Sequence, residues 1–243
     1  MNIISTEFEE NDKRIRTNHT IVEHVVNVHI HPSQTEGLTC KFSFENESNN
    51  DLDFPFYSHN AGPGIGINED YQEFSKDNQE ILEHFFKKTL KQKDKIIILE
   101  IGVQRNLYEN SSTYIFIKNK RDNDIYLGID IRDVSHLTNT SKNIYTIQTE
   151  SQNIDIVMHT LENIGAKHID VLMIDGWHSI NQVYKEWEYT KYLSKDGIVI
   201  FHDTNAHPGP YFITKSIDTN LYEVNKYLND IKDWGITICI KKS

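Results

Sequence analysis

The chain has 243 residues, a formal charge of −11 and 37% hydrophobic residues, enough for one α/β domain with a full core plus an extension. Its basic clusters, Lys87-Lys88 to Lys95 and Lys118 to Arg121, are small and interleaved with acids or set on expected helices, which disfavours a long nucleic acid, since phosphate binding needs a basic surface. No apolar run of about 18 residues is present to span a membrane, the opening MNIISTEFEENDKR lacks the apolar stretch of a secretory signal, and Cys40 and Cys239 form no disulfide framework, so a cytoplasmic, reducing setting is expected.

In chain order, residues 1–75 read as a polar N-terminal extension. Strands are expected over 21–30 (IVEHVVNVHI) and 38–44 (LTCKFSF), where β-branched and aromatic residues alternate with polar ones. His31-Pro32 and Glu36-Gly37 read as a turn, and 60–66 (NAGPGIG) as a loop. Residues 76–243 form a second region with a different rhythm. Ile81, Leu82, Phe85, Phe86 and Leu90 have helical spacing over 78–90. The run 95–101 (KIIILEI) has the continuous apolar character of a buried parallel strand. Alternation then continues: helix 112–120, strand 125–130, strand 144–148, helix 154–164, strand 169–175, helix 180–193, strand 197–202, helix 222–231 and strand 236–241. This order predicts an α/β fold with a mostly parallel sheet and helices on both faces. Ligands of such sheets bind at the carboxyl ends of the strands.

Those ends carry the candidate chemistry. The first strand of the second region ends in Glu100-Ile101-Gly102, where glycine permits a tight turn and a close approach of backbone. The next ends in Asp130, placed to hydrogen-bond ribose hydroxyls. Together they favour a nucleoside-type ligand, while the absence of G-x-G-x-x-G argues against NAD. Two further ends, 174–179 (IDGWHS) and 201–205 (FHDTN), belong to strands expected to be neighbours. They bring Asp175, His178, His202 and Asp203 to one crevice. Carboxylates with a histidine suit a divalent cation, and the remaining imidazole suits proton abstraction near neutral pH. His24, His29 and His31 read as ordinary surface positions, with His29 and His31, two apart on one strand face, as the weaker alternative of a metal pair, and His59, ahead of the Gly-rich loop, is a candidate for the acceptor pocket. Trp187 reads as a packing residue, and Trp177 is placed to pack or to flank the ligand.

With those residues in hand, LEIGV at 99–103, YLGID at 126–130 and 174–204 (IDGWHSINQVYKEWEYTKYLSKDGIVIFHDT) resemble a class I S-adenosylmethionine-dependent methyltransferase. The likeness is to the small-molecule O-methyltransferase branch, similar to cephalosporin-cluster and macrolide-sugar methyltransferases. It covers roughly residues 77–204, and the segment 174–204 is its specific part. The resemblance implies a Rossmann-like fold. It implies S-adenosylmethionine as cofactor, with Glu100 and Gly102 beside its methionine part, Asp130 on the ribose, and Glu150 and Ser151 at the adenine. It further implies Mg²⁺ or another divalent cation on Asp175, His202 and Asp203, with His178 as catalytic base. Two departures stand out. The small residues usual after LEIGV are replaced by QRNLYENSST, so Asn110, Ser111 and Ser112 are the substitutes and the loop should be longer and mobile without cofactor. His202 stands where a carboxylate or amide is common, which weakens the case for Mg²⁺.

The expected function is methyl transfer to a hydroxyl of a small molecule, with a sugar as candidate acceptor and the extension available for acceptor or homo-oligomer contacts. A metal-independent O- or N-methyltransferase is the alternative within enzymes. A non-catalytic Rossmann-like binding or assembly module is the alternative outside them.

Overall fold

The structure, a computed structural model, describes residues 2–4, 28–32, 37–38, 40–44, 76–104, 111–178, 180–204, 208–227 and 235–242. Most of the N-terminal extension, including the expected strand start at 21–27, the loop 60–66 and His59, lies outside the described residues. Three short strands of it are described: β1 (Asn2–Ile4), β2 (Val28–Pro32) and β3 (Cys40–Phe44). They form an antiparallel sheet in the order β1-β2-β3. Pro32, expected in a turn, is the last residue of β2, an end position where its missing N–H is tolerated.

The second region opens with α1 (Lys76–Gln92) and continues β4 (Ile97–Ile101), α2 (Ser112–Asn119), β5 (Ile125–Asp130) and β6 (Ile144–Gln148). It goes on through α3 (Ile154–Asn163), β7 (Ile169–Ile174), α4 (Ile180–Glu186) and β8 (Leu193–His202). It closes with α5 (Pro208–Lys215), β9 (Tyr222–Tyr227) and β10 (Ile236–Lys241). Seven strands make one sheet in the order β6-β5-β4-β7-β8-β10-β9. The pairs from β6 to β8 are parallel, and β10 runs antiparallel to both β8 and β9.

The apolar runs explain the layering. Every residue of β4, β5 and β7 is buried, as continuous hydrophobic strands require when helices cover both faces. On one face Ile98, Tyr126, Met173 and Ile200 pack with Leu82 and Phe86 of α1 and Phe116 of α2. On the other Leu99, Ile101, Leu172 and Phe201 pack with Val157 and Leu161 of α3, Val183 of α4 and Ile213 of α5. The extension reaches this second core through Leu38, which bridges Ile217 and is buried. Gly37, at φ 84°, accepts the Asp218 N–H with its carbonyl at 2.8 Å and leaves room for the rings of Tyr222 and Trp187.

Two expected helices are corrected. The helix over 222–231 is instead the strand β9 where the chain is described, and 228–231 lie outside the described residues. Tyr222 and Val224 pack on one core and Tyr227 on the other, which is strand periodicity on a polar edge strand. The helix over 180–193 ends at Glu186 and passes into a 3₁₀ segment, Trp187–Tyr192. Strand β8 then starts at Leu193, earlier than the expected 197. A register shift places Ile169 opposite Leu193 but Val171 opposite Ile198, and Asp196 takes φ 57° within that irregularity.

The strand order reverses at β4, whose chain moves outward to β5 and β6 and returns to β7 on the other side. The carboxyl ends of β4 and β7 therefore flank the crevice where such sheets bind ligands. Their seam is tight. The Asp175 N–H bonds the Ile101 carbonyl at 3.0 Å, and the Gly102 N–H bonds the Ile129 carbonyl at 3.0 Å. Gly102 sits at φ 84°, and a Cβ there would lie 1.9 Å from the Asp175 carbonyl oxygen. Gly102→Ala should therefore lower stability by more than about 2 kcal/mol, since left-handed strain and backbone overlap add. Urea denaturation measures this, and an unchanged midpoint would contradict the seam.

Candidate active site

The residues after β7 and at the end of β8 meet above the two neighbouring parallel strands. His178 Nε2 lies 2.8 Å from Asp203 Oδ2 and 3.8 Å from Asp175 Oδ1. His202 Nδ1 lies 2.9 Å from Asp203 Oδ1 and 3.3 Å from Asp175 Oδ1. Asp203 thus divides its carboxylate, one oxygen to each imidazole. To do so it adopts φ 59°, the left-handed region that Asp tolerates but seldom occupies. The following residue is held from β10, because the Thr237 hydroxyl donates to Thr204 Oγ1 at 3.1 Å. His178 is held from α5, because its carbonyl accepts the Gly209 N–H at 3.0 Å. His202 and Asp203 have side chains 2% and 1% exposed, whereas Asp175 retains 22%, so the cluster opens to solvent on the Asp175 side.

Burial alone would discharge both imidazoles, but the charges of Asp203 and Asp175 prevail. They push His178 up to about 9 and hold His202 well above the usual histidine range. Burial would likewise raise Asp203, yet the two imidazoles hold it well below the usual carboxylate range. Without another cation, both imidazoles favour their charged form and Asp203 between them favours its carboxylate.

Asp175, His202 and Asp203 also have ligand atoms within 4.8 Å of one another. Two donors about 2.1 Å from one octahedral ion stand about 3 Å apart, which the 2.9 and 3.3 Å spacings match. The three residues fit a single divalent ion by spacing. By donor chemistry, one imidazole in three ligands is a poor match to Mg²⁺, which prefers oxygen.

The other expected site residues are spread around the crevice. Asp130 ends β5, and its Oδ1 accepts the Arg132 N–H at 2.7 Å. Beside it Ile131 is 64% exposed, an apolar surface that the sequence reading overlooked and that stands next to the ribose candidate. Glu100 is fully buried. Its Oε1 accepts the Ser112 hydroxyl at 2.5 Å, and its Oε2 accepts the Tyr126 hydroxyl. Ser111 caps α2 by accepting the Tyr114 N–H at 3.1 Å. Both serines are thus engaged in anchoring α2, while Asn110 and the rest of the expected mobile loop, 105–110, lie outside the described residues. Glu150 is exposed. Ser151 is buried and donates its hydroxyl to Glu186 Oε1 at 2.6 Å, while Gln182 Nε2 reaches Ser151 Oγ at 2.6 Å and Glu186 Oε1 at 2.8 Å. This staple of α4 to the segment after β6 was also missed, because Glu186 reads in sequence as a solvated helix acid. Trp177 is partly exposed beside His178, and Trp187 is buried, stacked on Phe201.

The described residues of the second region form a Rossmann-like α/β domain with acidic strand ends and an Asp–His cluster at the carboxyl edge of its parallel strands. The solved structures of a methyltransferase, CalS11, share the fold. CalS11, described as a calicheamicin methyltransferase and, in its apo form, as a TDP-rhamnose 3'-O-methyltransferase, superposes with a TM-score of 0.50. In the first of these structures it is 10% identical, over 69% of this chain and 80% of CalS11. An O-methyltransferase from Bacillus cereus in complex with SAH gives a TM-score of 0.47 at 11% identity, over 69% of this chain and 82% of that one. MycE, a methyltransferase of the mycinamycin biosynthetic pathway solved with Mg, SAH and mycinamycin VI, gives 0.46 at 15% identity over 65% of this chain, which spans 48% of MycE's length. No family model and no curated protein matches the chain. Among the described residues no helix is long and apolar enough to cross a membrane.

Burial raises the buried carboxyls Glu100 and Glu186 to about 7 each, despite their hydrogen bonds. A carboxyl raised on folding contributes stability that is complete below about pH 4.5 and is lost as pH rises through about 7. Each loss is on the order of 3 kcal/mol. His178 adds to the alkaline loss, since its contribution is complete below pH 6.5 and fades through about 9. The melting temperature of the chelator-treated protein should therefore fall from pH 5 to pH 8, and Glu100→Gln should flatten that slope. A melting temperature that rises over this range would refute the assignment.

Proposed function

We propose that this protein transfers a methyl group from S-adenosylmethionine to a hydroxyl of a small molecule, with a sugar as the candidate acceptor. A divalent cation would be held by Asp175, His202 and Asp203. The observation that carries the reading is the convergence of two Asp–His contacts from the ends of neighbouring parallel strands, in a chain with a methyltransferase fold. A sugar acceptor agrees with the description of CalS11 as a TDP-rhamnose 3'-O-methyltransferase.

Asp130 would accept the ribose hydroxyls of the cofactor, and exposed Ile131 would cover its base. Gly102 turns the chain away at the point where a side chain would obstruct the seam. When bound, the cofactor supplies an electrophilic methyl group and the cation lowers the pKa of a hydroxyl beside it. His178 is the proton acceptor. In the resting cluster Asp203 favours the charged imidazole of His178 across 2.8 Å; a cation on Asp175 and Asp203 would weaken that hold, so that His178 would lose its extra proton to solvent and, neutral, take the proton of the acceptor hydroxyl. Asp175, the most accessible of the four, lies on the side from which an acceptor would approach. The trio also orients the acceptor oxygen, a positioning contribution distinct from proton transfer.

Calorimetric titration with S-adenosylhomocysteine tests the cofactor assignment. Asp130→Ala should weaken binding by about 1.5–3 kcal/mol, the worth of a charged hydrogen bond. No binding by the wild type would leave the non-catalytic module as the reading. With an acceptor in hand, His178→Ala should reduce turnover about 10²–10⁴-fold while S-adenosylhomocysteine affinity is kept. Excess EDTA should abolish turnover, whereas full activity in EDTA would favour the metal-independent methyltransferase.

A further inference from the structure

The cluster of Asp175, His202 and Asp203 carries information about which ion it would hold. Two ligands are carboxylates and the third is an imidazole. Mg²⁺ is a hard ion that dehydrates reluctantly and takes oxygen donors, whereas imidazole suits first-row transition ions. A set of two carboxylates and one imidazole lies between these limits. It has no thiolate: among the described residues the free cysteine is Cys239, buried in β10 away from the strand ends.

The imidazole is also fixed in place. His202 is the last residue of β8, its backbone is paired opposite Ile236 of β10, and its side chain is buried. Its Nδ1 faces both carboxylates, at 2.9 Å from Asp203 and 3.3 Å from Asp175. Asp203 is fixed by its left-handed backbone and by the strand that precedes it. The two oxygens of Asp203 separate the imidazoles, with Oδ1 facing His202 and Oδ2 facing His178. His178 therefore stands outside the ligand trio. Three donors on one side and access past Asp175 on the other leave open positions for water and an acceptor oxygen, as in other sites with three protein ligands.

We infer that this site selects a first-row transition ion of the Mn²⁺, Fe²⁺ or Co²⁺ type over Mg²⁺, and that His202 is the residue that sets the choice. The inference rests on the metal-assisted reading above, but its test needs neither cofactor nor acceptor.

The test uses the full chain stripped of metal and titrated with MgCl₂, MnCl₂ and CoCl₂ by calorimetry, together with pulsed EPR of the Mn²⁺ form. Mn²⁺ and Co²⁺ should bind at least about tenfold more tightly than Mg²⁺. The EPR spectrum should show coupling to an imidazole nitrogen, and the coupling should persist in His178→Ala. His202→Glu should remove the coupling and reduce the Mn²⁺-over-Mg²⁺ preference. If that variant does not fold, the wild-type nitrogen coupling and its persistence in His178→Ala decide the question. Equal affinity for Mg²⁺ and Mn²⁺, absence of nitrogen coupling, an unchanged preference in a folded His202→Glu, or no ion bound at millimolar concentration would each overturn the inference. Failure of the methyl-transfer reading is seen separately, as absence of S-adenosylhomocysteine binding alongside intact metal selectivity.

Discussion

The contact between Gly102 and the carbonyl of Asp175 governs the layout of the crevice. Two parallel strands that flank a reversal of strand order must separate beyond their last hydrogen bond. Here they stay together one residue longer, through the Asp175 N–H to the Ile101 carbonyl. This is achievable because position 102 has no side chain and accepts a positive φ. Holding the seam closed aims Asp175 at the end of β8 rather than into the loop after β4. Asp130, at the end of β5, and Asp203, just past the end of β8, are then separated by the ends of β4 and β7.

Electrostatics divide the site in the same way. Glu100 is buried with hydroxyl partners and holds the start of α2, so its low-dielectric setting makes a proton on it favourable near neutrality. The Asp–His cluster is just as buried but neutralises itself by pairing opposite charges. One divalent ion would leave the cluster's net charge unchanged only if both imidazoles gave up a proton. A proton on His202 and a metal ion would compete for the same two carboxylates, so binding of a metal there would release a proton.

The central strands were legible in the sequence because burial on both faces demands unbroken apolar runs, as in 97–101, 125–130 and 169–174. Their ends were legible because polar residues that interrupt such runs are conspicuous: Asp130, Asp175, His202 and Asp203 all stand at that transition. What was not legible depends on partners far along the chain. Nothing near Glu186 signals that it is buried against Ser151, and nothing near Tyr126 signals that its hydroxyl closes on Glu100. Strand β9 carries polar residues at three of its six positions and borrows its order from β10, so local pattern alone pointed to a helix. The bulge before Ile198 hid the start of β8, because the polar residues Ser194, Lys195 and Asp196 interrupt the apolar run that marks the strand from Gly197.

The pairing of His202 with Ile236 has a consequence for biosynthesis. During synthesis the strands from β4 to β8, with Asp130 and Glu100, emerge first and carry most of the sheet's parallel pairing. β8 is then an edge, and the residue after Asp203 lacks the Thr237 hydroxyl that steadies it. The strand ends that carry Glu100 and Asp130 can therefore take shape on the ribosome while the Asp–His cluster waits for residues 236–241. A nascent chain released early would carry the parallel strands with their outer edge unpaired and its Asp–His cluster unsteadied.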